Sequence, residues 1–279
     1  MTQPPNPIRL IALDLDGTLL RSDFSIGPRT RKALHDAHAK GIETVLASGR
    51  MTPAMERTAD ALGLDLFLVS YNGAVACGRM EHGRQRFFHR PLEADIARDL
   101  YAFAQQHGLQ VNYYLDDVIH SEDGPHLRPW IEIYCQRTGS PYRFVKSLKD
   151  FLHRQPTKLL MVMDPARREE FAKHWKERLG ARAVVVKTEA EYLEFLAPGA
   201  DKGEAVGFVA AQLGVQPGEI MAMGDGDNDV PMLKRAGWPV APANAGALAK
   251  AAAKAITQND HDHDAVAEAV EKWVLKSSD

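Results

Sequence analysis

Short apolar runs alternate with helix-period stretches at both ends of the chain. Ile8–Asp16 (IRLIALDLD) reads as a buried strand, and Pro28 to Gly41 as a helix with Pro near its start and Gly as its stop. Ile42–Arg50 (IETVLASGR) predicts a second strand. Thr52 to Gly63 follows as a helix with Met51, Met55, Ala59 and Leu62 along one face, and Leu64–Ala74 (LDLFLVSYNGA) as a third strand. The pattern returns towards the C-terminus. Asp201–Gly214 is a helix with Val206, Val209, Ala210 and Leu213 on one face and Asp201 and Glu204 at capping-box spacing. EIMAMGDGDND is a strand running into a Gly- and Asp-rich turn, WPVAPANA a short last strand and AVAEAVEKWVL a final helix. Such repetition implies right-handed crossovers and a parallel sheet covered on both faces.

Between these blocks, from Pro91 to Tyr192, the texture changes. LEADIARDLYAFAQQHG predicts a helix, and LQVNYYLDDVIHSE two strands around the Asp116-Asp117 turn. PTKLLMVMD, ARREEFAKHWKERLG and ARAVVVKTEAEYLEFL supply a strand, a helix and a terminal strand pair. Hairpins of this kind predict antiparallel pairing. Of Tyr113 and Tyr114, alternation along the strand places one in the core and one at the surface. The fold class is therefore α/β: a Rossmann-like parallel-sheet core in two parts (1–90 and 193–279), interrupted by an inserted α+β cap (91–192).

With 279 residues, 45% hydrophobic and 25% charged, the chain has an ordinary globular composition and can bury two cores. A net charge of -3 argues against nucleic acid or a membrane surface as partner and leaves a small molecule. Cys77 and Cys135 form no CxxC pair and read as reduced thiols. The N-terminal MTQPPNP lacks a signal pattern, and no apolar run approaches the roughly 18 residues of a spanning helix, so a cytoplasmic protein is expected.

In an open parallel sheet, ligands bind beyond the carboxyl ends of the strands. Four such ends carry unusual chemistry: Asp14-Leu15-Asp16-Gly17-Thr18, Ser48-Gly49-Arg50, Lys202-Gly203 and Gly224–Asp229 (GDGDND). Together they direct Asp14, Asp16, Asp225 and Asp229 towards one place, where like charges repel or force protonation. A hard divalent cation with oxygen ligands removes that conflict, and Mg²⁺ is the natural one. Ser-Gly at a helix start offers a hydroxyl and free backbone N–H groups to an anion, and Lys202 adds a mobile positive charge. Metal, carboxylates, anion cradle and lysine together describe phosphoryl chemistry. One aspartate of a closely spaced pair can attack phosphorus, while the other protonates the leaving alkoxide and then deprotonates water.

These four segments, in this order, resemble the motifs of the haloacid dehalogenase (HAD) phosphatases. The insertion between the second and third, and SYNGA (Ser70–Ala74) after the third strand, are similar to the Cof-type branch with a C2B cap. The resemblance implies that Asp14 is the nucleophile and a Mg²⁺ ligand, and that Asp16 is the general acid/base with its backbone carbonyl on the metal. It implies that Ser48, the Gly49 amide and Lys202 hold phosphoryl oxygens and that Asp225 ligates Mg²⁺. Asp229 would be a further acid around the metal, and Asn228 would bind the phosphate or order the loop. The substrate class it suggests is a sugar phosphate or a phosphorylated cofactor, selected by the cap. One departure stands out: VAPANA (Val240–Ala245) replaces the VAMGNA usual in the family, although Asn244 is retained.

Some features have plainer readings. Asn72-Gly73 is a hairpin turn with a further chance of touching substrate. His261–Asp264 (HDHD) starts the final helix rather than binding metal. Asp227 is a turn residue, and Arg79, Arg84 and Arg86 form a solvated hairpin face. Two rival functions share the same residues: a phosphomutase, which passes the phosphoryl group to a second hydroxyl, and a non-enzymatic phospho-acceptor at Asp14. The second leaves Asp16 and a cap of about a hundred residues unexplained.

Overall fold

In the computed structural model, residues 3–124, 128–187 and 190–276 are described. The chain divides into two compact units: residues 1–49, 55–88 and 201–279 form the first, and residues 50–54 and 89–200 the second.

The first unit is built on β1 (Leu10–Leu13), α1 (Pro28–Ala39), β2 (Glu43–Ala47), α2 (Thr52–Leu62), β3 (Phe67–Ser70), β4 (Val75–Cys77) and β5 (Arg86–His89). The second unit contributes α3 (Ala94–His107), β6 (Gln110–Leu115), β7 (Val118–Glu122), α4 (Arg128–Thr138), β8 (Tyr142–Val145), β9 (Lys158–Val162), α5 (Pro165–Leu179), β10 (Val184–Lys187) and β11 (Tyr192–Leu196). The chain then returns to the first unit with α6 (Lys202–Gln212), β12 (Ile220–Met223), α7 (Val230–Arg235), β13 (Trp238–Ala241), α8 (Ala247–Ala252), β14 (Ala255–Ile256) and α9 (Ala265–Val270).

The first unit's sheet runs β14-β13-β12-β1-β2-β3-β4-β5. It is parallel from β14 to β3, as the strand–helix repetition predicts, and turns antiparallel between β3 and β4. Alternation along β1 explains the layers. Ile11 and Leu13 pack with residues of α1, α2 and α9, whereas Leu10 and Ala12 pack with α6, α7 and α8. A strand buried on both faces must be apolar throughout, which is why Leu10–Leu13 shows no polar break. β1 sits between β12 and β2, with Leu13 opposite both Met223 and Leu46. The three strand ends therefore stop together, and Asp14, Asp225 and Ser48 leave the sheet side by side.

The hairpin arginines differ from the solvated reading. The Arg84 side chain is only 8% exposed and donates to the Leu66 and Gly78 carbonyls at 2.5 and 3.0 Å, and Arg79 pairs with Glu43 and Glu81. They tie the β4–β5 hairpin to the sheet.

The second unit has a six-stranded sheet, β10-β11-β9-β6-β7-β8, antiparallel except between β7 and β8. Val111, Tyr113, Leu159 and Phe195 pack beneath α3 and α5. Both Tyr113 and Tyr114 are buried, contrary to the alternation argument. The opposite face is not open at this point: Tyr114 lies against Lys158, 4.6 Å from the ammonium to the ring centre, and Lys158 pairs with buried Glu194 at 3.1 Å. Among the described residues, no helix is long and apolar enough to cross a membrane.

Candidate active site

Asp14 leaves β1 with its amide on the Met223 carbonyl (3.0 Å), so the end of β12 fixes its backbone. Lys202 is the first residue of α6, where Asp201 caps the helix by accepting from the Glu204 amide at 2.8 Å. The cap sets the direction of α6, and Lys202 reaches into the core with its side chain fully buried. Its Nζ donates to Asp14 Oδ1 at 2.5 Å and to Asp229 Oδ1 at 2.6 Å. A buried ammonium keeps its charge only between anions, and these two carboxylates supply them.

Asp229 closes its own loop. Its Oδ2 accepts from the amides of Asp225 at 3.0 Å and Gly226 at 2.9 Å. Both of its oxygens are thereby occupied by protein donors, so it organises the loop that presents Asp225. Asp225 Oδ1 accepts from the Thr18 hydroxyl at 3.1 Å, which ties the two carboxylate-bearing loops together. The sequence places Thr18 in the Asp14–Thr18 segment without assigning it a role, and its position directly after Gly17 is the available signal. Gly17 itself is required: its φ is +76°, and a Cβ there would lie 2.5 Å from Asp225 Oδ2.

Asp14, Asp225 and Asp229 each offer an oxygen within 4.8 Å of the others, the sole such group of potential ligands among the described residues. Asp14 Oδ2 and Asp225 Oδ2 accept no hydrogen bond among them. Burial, and then the charge of Asp229, push the Asp14 carboxyl well above its usual range, with Lys202 opposing. Asp225 is raised for the same two reasons. Burial alone would lower the Lys202 ammonium, but Asp14 and Asp229 outweigh it and leave it raised. Three clustered carboxylates against one ammonium leave negative charge uncompensated, and every remaining donor is a hard oxygen. A divalent cation fits this set.

Asp16, two residues beyond Asp14, is exposed and lies outside the carboxylate cluster. Ser48, buried, follows β2, and its amide donates to the Val69 carbonyl at 2.9 Å. Asn72 is buried in a left-handed conformation (φ 53°, ψ 31°), its amide on the Ser48 carbonyl at 3.0 Å. Its Oδ1 accepts from Asn228 Nδ2 at 3.1 Å, and a Cβ on Gly49 would lie 3.0 Å from the same oxygen. Ser48, Asn72 and Asn228 thus form a second, uncharged set bonded through Asn72, with Gly49 packed close to its side chain. The Asn72-Gly73 step lies in the turn of the antiparallel β3–β4 hairpin, as expected, and Gly73 (φ +96°) is in addition closed against the Asp201 backbone, next to Lys202.

Each HDHD residue is engaged by protein partners, but His261 Nδ1 is buried without one among the described residues. Asp262 accepts from Ser22, Asp264 from Arg21 and Thr30, and Asp260 from His263. No metal-ligand group includes it among the described residues.

Residues 11–270 match the family of haloacid dehalogenase-like hydrolases. A crystal structure of a haloacid dehalogenase-like hydrolase from Bacteroides thetaiotaomicron is similar over 95% of this chain and 98% of its own, with a TM-score of 0.86 and 31% identity. The chloroplastic endoribonuclease YBEY of Arabidopsis thaliana is 31% identical over 95% of this chain, but the chain spans only 46% of that longer protein. The 5-amino-6-(5-phospho-D-ribitylamino)uracil phosphatase YcsE of Bacillus subtilis is 28% identical over 96% of both.

Proposed function

The chain belongs to the haloacid dehalogenase-like hydrolases, of the Cof type, and on that premise we propose that it is an Mg²⁺-dependent phosphomonoesterase of small phosphorylated metabolites, working through an aspartyl-phosphate at Asp14. The observation that carries the reading is the buried Asp14–Lys202–Asp229 bridge beside Asp225. It leaves one oxygen of a buried, positioned carboxylate without a protein donor. The relation to YcsE supports a phosphorylated metabolite as substrate.

In this account Asp14 Oδ2 attacks phosphorus as the bond to the leaving oxygen breaks, and Asp16 gives its proton to the departing alkoxide. Asp16 then takes a proton from the water that attacks the aspartyl-phosphate, which frees inorganic phosphate and restores Asp14. Lys202 holds Asp14 in one orientation throughout. Ser48, the Gly49 amide and Asn228, on the uncharged side of the site, hold phosphoryl oxygens. Asp14 and Asp225 would hold Mg²⁺, with Asp229 and the Asp16 carbonyl around it, and the ion would offset the repulsion between carboxylate and phosphate dianion. Selection among esters is assigned to the inserted residues 91–192.

Phosphate release from sugar phosphates, nucleotides, pyridoxal phosphate and flavin mononucleotide, with Mg²⁺ or EDTA, tests the reading. Turnover of one group of esters with Mg²⁺ only, absent in Asp14→Asn, is expected. Label that passes from substrate to a second sugar hydroxyl, without phosphate release, would replace hydrolysis with mutase chemistry.

A further inference from the structure

The retained Asn244, in a segment that departs from the family's usual sequence, sits at the junction of three loops. Its Nδ2 donates to the Gly17 carbonyl at 2.8 Å, and its Oδ1 accepts from the His261 amide at 3.1 Å. Two residues on, the Gly246 amide donates to the Asp225 carbonyl at 2.9 Å. The turn that begins at His261 grips the other end of the loop that starts at Gly17. The Ser22 amide and hydroxyl each donate to Asp262 at 2.7 Å, and Arg21 and Thr30 donate to Asp264 at 3.0 and 2.9 Å.

We infer that Asn244 and the His261–Asp264 turn form a clamp on residues 17–27, and that Asn244 is a positioning residue for Asp16. This inference rests on the acid/base role given to Asp16 above. Asp16 is exposed, at the foot of this loop, and pairs with Leu20 of the same loop in an isolated β-bridge, so its position follows that of the loop. Gly17, the next residue, has φ +76°, a conformation with wide freedom in glycine. A peptide unit next to such a residue turns easily unless its carbonyl is held. Asn244 holds it from one side, and the same side chain is anchored on the other by the His261 amide. The side-chain amide thus serves as a two-ended strut, which explains an Asn here rather than a single donor or acceptor. HDHD, which has the composition of a metal site, is the strut's foundation.

The test compares wild type with Asn244→Ala and with Ser22→Ala, the latter an exposed change that loosens only the far end of the clamp. Two substrates separate positioning of the acid from general damage. p-Nitrophenyl phosphate leaves without help from an acid, whereas an alkyl phosphate requires one. Asn244→Ala should lower kcat/KM, which reports only the steps up to loss of the leaving group, roughly 10- to 100-fold for the alkyl phosphate, part of the 10² to 10⁴ that a general acid contributes. For p-nitrophenyl phosphate the loss in kcat/KM should stay below about threefold, and Ser22→Ala should show the same bias in weaker form, whereas kcat should fall for both esters because Asp16 also serves the shared second step. Amide exchange in the peptide spanning residues 15–25 should quicken about tenfold in both variants. Equal losses in kcat/KM on the two esters, or unchanged exchange, would overturn the clamp. A wild type inert towards both esters would strike the phosphatase reading instead, and the exchange data would still decide the clamp.

Discussion

At the scale of single residues, the site is a problem of charge burial. Lys202 lies between two buried carboxylates, and Lys202→Met strands both of them. Removal of one partner from a buried pair costs about 3–5 kcal/mol. In a chain of this size the thermal midpoint should fall on the order of 10 °C, as calorimetry in EDTA would show; an unchanged midpoint would mean that the bridge contributes nothing. Asp225 predicts the reverse. Its folded carboxyl is raised by burial and by Asp229, so the folded state binds its proton more tightly than the unfolded one. Stability from this group is complete below the ordinary carboxylate range and is lost as pH rises through the raised value. Metal-free Asp225→Asn should therefore match wild type near pH 4 and melt progressively higher than wild type as pH approaches 7. Mg²⁺ should narrow that gap, since it stabilises the wild type alone by mass action. A gap independent of pH would remove the electrostatic explanation.

At the scale of elements, glycine separates turns that merely end helices from turns that build the site. Gly41 and Gly73 both have positive φ, +76° and +96°, but nothing lies within 4 Å of a Cβ on Gly41, whereas one on Gly73 meets the Asp201 backbone. Gly41→Ala should cost about 1–2 kcal/mol, the ordinary left-handed penalty, with turnover intact. Gly73→Ala should displace the start of α6 and with it Lys202, with loss of turnover measured by phosphate release. Equal effects of the two substitutions would deny that the α6 cap sets the site. Helix ends such as Gly41 and Gly63 were legible in the sequence because the αL stop leaves a glycine behind. So was the turn at Asp116 and Asp117, both left-handed as a two-residue hairpin demands. The left-handed Tyr71 was not, because an aromatic residue rarely adopts that conformation, whereas Asn72 is of a type that favours it. α4 and β8 also escaped notice. Tyr142 and Arg143 at the start of β8 are exposed at the sheet edge, so no apolar alternation marks it.

At the scale of the whole molecule, two sheets with separate cores share one chain. The alternation of strands and helices made the two kinds of sheet legible, because parallel crossovers and hairpins leave different periodicities. What escapes the sequence in the β4–β5 hairpin is the enclosure of Arg84: an arginine bonded to carbonyls has the same sequence signature as a solvated one. The clustered carboxylates belong to the first unit alone. Mg²⁺ should therefore slow amide exchange in peptides around residues 14–18 and 224–230 and leave peptides from residues 94–196 unchanged. Equal protection in both units would show that the ion binds elsewhere or acts on the whole chain.

In the proposed reaction Asp14 carries the phosphoryl group during turnover. The direct measurement is mass spectrometry of acid-quenched protein mixed with Mg²⁺ and a turned-over ester, for wild type and for Asp16→Asn. One phosphoryl group on the peptide containing Asp14 is predicted, at higher occupancy in Asp16→Asn, where the water that clears it lacks its base. Steady phosphate release with no label on that peptide, in either protein, would mean that water attacks the substrate directly and that Asp14 is not the nucleophile.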